Sequence, residues 1–167
     1  MEIDTLFGLP AHPLVVHAAV ILLPLAAIGL LFVAAIPRAR RLYAPLVLGI
    51  ALAATVAVGL AQQSGEELED QVTETELVEE HSEQGETVLP WAIAVTVMSA
   101  LVAAEPYARD RLGKLSPLAV TTVLVGASLI VAVGATWTVI DVGHSGAKSV
   151  WSDLPADVSE DDEYEDD

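Results

Sequence analysis

Four stretches of this chain, residues 14–36, 44–61, 88–104 and 118–140, contain no Lys, Arg, Asp or Glu. Each is long enough to cross the hydrocarbon core of a bilayer, which takes roughly 17–25 residues of helix. In lipid a backbone must satisfy its own polar groups, and a helix does so while a charged side chain cannot follow it in. The pattern therefore predicts an all-α protein, a four-helix transmembrane bundle with up-down-up-down connections. Residues 1–151 form the membrane domain in this reading, and 152–167 a disordered acidic tail. The last thirteen residues are mostly Asp and Glu, too polar to pack.

The basic residues set the orientation. The sequence has seven Lys and Arg against 24 Asp and Glu, a net charge of −17. Arg38, Arg40 and Arg41 lie between the first two spans, and Arg109, Arg111 and Lys114 between the last two; Lys148 alone lies elsewhere. Basic loops stay in the cytoplasm. The expected topology thus puts both termini, the 62–87 connection and nearly all the acidic residues outside the plasma membrane. Tyr43 and Tyr107 would mark the inner interface, and Trp91, Trp137 and Trp151 the outer one. Seven scattered cations make no basic groove, which argues against nucleic-acid binding. The chain lacks cysteine, which excludes disulfides, thiolate-bound zinc, iron–sulfur clusters and covalently attached haem.

Small residues suggest close helix packing, with Gly49, Gly59, Gly126 and Gly134 as contact points. Pro24 and Pro90 are expected to kink the first and third spans. No internal repeat stands out. The 62–87 connection holds ten acidic residues but carries helix signals, so it reads as a hairpin extending two spans outward. Its turn is expected near Asp70 to Thr73, with Thr73 and Glu76 as a capping box.

All four histidines fall on the expected outer side. His12 precedes Pro13 as a candidate N-cap, His17 lies about a turn deeper, His81 is on the extension of the third helix, and His144 is at the end of the fourth. The second helix brings Glu66 and Glu67 to the same end. Imidazole and carboxylate together suit a transition metal, and paired imidazoles suit haem iron. His17, His81 and His144 are the expected core ligands, with His12 and Glu66 auxiliary. Each histidine alone could equally be an interfacial side chain or a cap, and the acidic connection reads mostly as a solvated face. Lys148 is expected to pair with Asp141 or Asp153. Gly143-His144-Ser145-Gly146 is a weak candidate anion cradle. No nucleophile is paired with a base, so an enzyme is disfavoured.

The run Leu9-Pro10-Ala11-His12-Pro13-Leu14-Val15-Val16-His17 resembles the opening of the DUF2231 family of predicted bacterial membrane proteins. Gly143-His144-Ser145-Gly146-Ala147-Lys148-Ser149-Val150-Trp151 is similar to its close, and Ser64-Gly65-Glu66 with Glu80-His81 to its middle. The resemblance spans residues 7–151. It strengthens the topology and the pairing of the His motifs and leaves the reaction open, while the likeness of neighbouring members to small membrane-bound redox proteins favours iron. The histidine grouping itself leads to the expectation of haem b or a His/carboxylate-bound transition metal, working in electron transfer or metal handling. The partners would be the lipid bilayer and a membrane redox protein or a second copy. The competing expectation is a cofactor-free accessory subunit.

Overall fold

The computed structural model describes residues 5–6, 9–69, 72–73, 75–109 and 116–151. Among these residues a two-residue antiparallel pair, β1 (Thr5–Leu6) and β2 (Leu9–Pro10), leads into five helices. These are α1 (Ala11–Ala35), α2 (Pro37–Glu69), α3 (Glu76–Glu86), α4 (Val88–Ala108) and α5 (Pro117–Trp151). Four helical segments among the described residues are long and apolar enough to span a membrane: α1, α2, α3 continued by α4, and α5.

At 1.5 Å per residue, the 33 residues of α2 and 35 of α5 extend to roughly 50 Å, well beyond the ~30 Å hydrocarbon core. The excess gathers at one end of the bundle, where α3 joins it. That end holds all four histidines, and the expected helical hairpin is there. Its cap differs in detail: Thr75, not Thr73, closes the start of α3, its hydroxyl accepting from the Val78 amide at 3.3 Å. The helix thus starts two residues later than expected, and Val72 and Thr73 remain outside any helix. His12 is likewise no N-cap, because α1 already begins at Ala11.

Neighbouring helices run antiparallel. α1 packs on α2 and α5, and α4 packs on α2 and α5, closing a square. The interior is built from small side chains. Ala26, Ala51, Ala54, Ala92 and Ala135 are fully buried, while Ile21, Ile28, Val56 and Ile130 face outward. Lipid accepts the large apolar groups as readily as the core does, so close backbone approach decides what lies inside.

The glycines do less of this than expected. Gly49, Gly59 and Gly126 have open space where a side chain would be. Gly134 does make a contact, lying directly under the Trp91 ring, and Gly29 receives Val47 in the same way. Pro90 sits in the first turn of α4, just after the break at Thr87 that separates it from α3.

One polar link crosses the membrane interior. Thr55 of α2 shares a 2.8 Å hydrogen bond with Thr96 of α4 and lies 3.1 Å from the Ala92 carbonyl. At the other end of the bundle, Arg40 is completely buried. Its Nε and Nη2 donate to the Val33 and Ala34 carbonyls at 3.1 and 2.6 Å, and Nη2 also reaches the Thr121 hydroxyl. Its Nη1 pairs with Glu105 at 3.1 Å, and Glu105 also accepts from Arg109 Nε at 3.0 Å. Arg40 thus satisfies the free carbonyls where α1 ends, and a single carboxylate ties two arginines to α4. In sequence these charges read only as loop residues.

Candidate functional site

The four histidines do not share one site. α1 places His12 and His17 five residues apart, roughly 140° around the helix, so only one can face the neighbours. The structure turns His12 inward. Its Nδ1 lies 3.0 Å from the Ala61 carbonyl and 3.3 Å from the Ser64 hydroxyl, both on α2. A carbonyl can only accept, so Nδ1 carries the proton and Nε2 keeps its lone pair. His17 is exposed, its Nδ1 held by the Pro13 carbonyl of its own helix. The expectation that His17 is the deepest inward ligand is therefore reversed.

His81 of α3 is held in the same manner against α5. Its Nδ1 lies 3.1 Å from the Ser145 hydroxyl. Ser145 donates its own proton to the Val142 carbonyl at 3.0 Å, so it accepts from His81, and again Nε2 is left with the lone pair. His144, the expected third ligand, is exposed on the opposite side of this turn, and the buried residue there is Ser145. The sequence around it is continuous helix, not a loop, so Gly143-His144-Ser145-Gly146 offers no anion cradle.

Glycine makes both seats. A side chain on Gly65 would come within 3.1 Å of His12 Cε1, and one on Gly146 within 2.8 Å of His81 Cε1. Each imidazole thus lies over a bare stretch of helix, its Nδ1 tied to a serine one residue earlier. Burial is the larger influence on both rings, but the charge of His81 also reaches His12, and that of Glu69 reaches His81. Ser82 fixes that carboxylate at 2.6 Å. Gln62 braces the same region, donating to the Gly85 carbonyl at 2.9 Å.

The remaining expected site residues lie apart. Glu66 is exposed, and Glu67 is half-buried and engaged. Lys148 is exposed and makes no ion pair among the described residues; Asp153 lies outside them. No group of three or more metal-ligating side chains converges among the described residues. What the arrangement presents is two oriented imidazoles, each with one free nitrogen, at one end of a membrane bundle.

The model of DUF2231, a predicted membrane protein family, matches residues 8–155. The chain belongs to the DUF2231 family. The match covers all five helices of this DUF2231 protein and all four histidines. No curated protein and no solved structure matches it. Ser64 and Gly65 entered the sequence reading only as part of a family motif, and Ser145 and Gly146 as part of a family motif and of the weak candidate anion cradle. Their work as imidazole seats had a visible signal, the Ser-Gly pair occurring on two helices. Glu69 had none, being one acidic residue among many.

Proposed function

We propose that this DUF2231 protein holds a redox-active transition metal or haem at its histidine end, through His12 and His81, and works in electron transfer or metal handling. The observation that carries this reading is the pair of Nδ1-anchored imidazoles. A metal-binding histidine characteristically donates its other ring N–H to a carbonyl or hydroxyl, which fixes the ring and raises the basicity of the ligating nitrogen. Both rings have that arrangement. Exposed His17 and His144 stand outside the site. The arginine-rich end faces the cytoplasm and the histidine end the exterior, on the distribution of basic residues. The cofactor would then exchange electrons with a partner at the outer face of the plasma membrane.

The test is an absorbance spectrum of the detergent-purified protein, oxidised and reduced, with elemental analysis of the same sample. Cells supplied with haem and metals should yield a loaded protein. His12→Ala and His81→Ala should each remove the cofactor while circular dichroism stays helical, and His17→Ala and His144→Ala should not. A protein that stays cofactor-free under those conditions, or that loses its cofactor only with His17, refutes the proposal and leaves an accessory subunit. Orientation is open to an independent check. The chain has no cysteine, so single cysteines placed at Tyr43 and Ser82 should label from opposite sides.

A further inference from the structure

The two imidazole seats are parts of a larger pattern. His12, Pro37, Ala39 and Arg40 recur 69 positions later as His81, Pro106, Ala108 and Arg109. The same offset carries buried positions of α1 onto buried positions of α4, as Ala19 onto Val88, Leu23 onto Ala92 and Val33 onto Val102. Between α2 and α5 the offset is 81. It takes Ser64-Gly65 to Ser145-Gly146, and the buried Ala51, Ala54 and Val58 to the buried Ala132, Ala135 and Val139. The difference of twelve residues falls in the connection between α4 and α5.

Buried positions alone would prove little, since any two packed helices share a period. The hydrogen bonds are independent of that period. His12 meets the Ala61 carbonyl and Ser64; their counterparts at the same offset, Val142 and Ser145, form the seat of His81. In each seat the serine donates to the carbonyl three residues before it. Arg40 and Arg109, counterparts again, bind the same carboxylate.

Each unit is a helical hairpin whose first helix starts at the histidine end. Two units of the same sense are related by a twofold axis along the bundle, parallel to the membrane normal. Such an axis brings one imidazole from each side to equivalent positions. The other candidate donors are not duplicated. The counterpart of Glu69 is Val150, that of His17 is Glu86, and that of His144 is Gln63.

We infer that the histidine end is a duplicated site, one equivalent imidazole per hairpin, whose occupant is haem ligated on its two faces by His12 and His81. The inference rests on the cofactor reading above and names the cofactor. A bare zinc or copper ion needs three or four protein donors, and the repeat supplies two. Haem iron already holds four in-plane nitrogens and needs only an axial ligand on each face.

The experiment titrates the full-length protein in detergent with hemin and, separately, with Zn²⁺. Wild type is expected to bind one hemin as a six-coordinate, low-spin species by optical and electron paramagnetic resonance spectra. His12→Gly and His81→Gly should each become high-spin and lose on the order of tenfold or more in hemin affinity, to the same extent. Free imidazole should restore the low-spin spectrum in both, which separates a lost ligand from a misfolded bundle. If only one variant changes, the equivalence of the two hairpins is overturned while the cofactor reading stands. Stoichiometric Zn²⁺ binding without hemin overturns haem but keeps a metal. Binding of neither sinks both.

Discussion

Removing the Glu105 carboxylate, as in Glu105→Ala, leaves the Arg40 guanidinium buried without its anion. Arg40 is fully buried and Glu105 is 5 % exposed, so solvent cannot take the place of either partner. Stripping one member from such a pair costs about 3–5 kcal/mol, mostly the penalty of the orphaned charge. Arg40→Met should cost less. Glu105 would keep its 3.0 Å bond to Arg109, and the loss would be the hydrogen bonds to the Val33 and Ala34 carbonyls and the longer one to the Thr121 hydroxyl. At about 0.5–1.5 kcal/mol each, that is about 1.5–4.5 kcal/mol, with no charge left orphaned. The double variant Arg40→Met, Glu105→Met removes both charges and should fall well short of the sum of the singles. Equilibrium unfolding in mixed micelles, followed by Trp91 and Trp137 fluorescence, gives all three values. If Arg40→Met proves worse than Glu105→Ala, or the two effects simply add, the buried pair is not the fastening that the geometry implies.

Other substitutions probe the packing. Gly134→Ala must displace the Trp91 ring and should destabilise by about 1–3 kcal/mol, while Gly49→Ala, facing open space, should be neutral or stabilise by up to about 1 kcal/mol; thermal unfolding separates them. Thr55→Val breaks the link to Thr96 across the α2–α4 seam and should cost about 0.5–1.5 kcal/mol. Ser99 and Ser128 bury hydroxyls that have no partner among the described residues; alanine at either position should leave stability unchanged or raise it, and a loss above about 1 kcal/mol would refute that reading. Gly146→Ala should disturb His81 more than Gly65→Ala disturbs His12, given the 2.8 and 3.1 Å approaches, which the nitrogen chemical shifts of the two rings would report.

Much of the architecture is legible without coordinates because lipid is an undemanding judge. A run of apolar residues of the right length has one solution in a bilayer, and the four spans follow from that alone. The helical hairpin beyond them was also readable, from caps and helix-forming residues in an acidic stretch. The repeat was not. Its matched residues are separated by dissimilar ones, and the twelve additional residues put α1–α4 and α2–α5 at different offsets, so no single shift aligns the halves.

What the sequence by itself determined is how many helices cross the membrane and which end carries the histidines. Hydropathy and chain order suffice for both. It also ruled that His12 and His17 cannot face the same way, through the pitch of the helix. Which of them faces inward is a matter of rotation, and only the tertiary structure decided it. In a soluble helix the polar face reveals that rotation. Here lipid and core are equally apolar, so Ile28 on the outside and Leu30 on the inside look alike in the sequence. Packing settles the matter, by seating small residues against one another and placing His12 over Gly65 and His81 over Gly146.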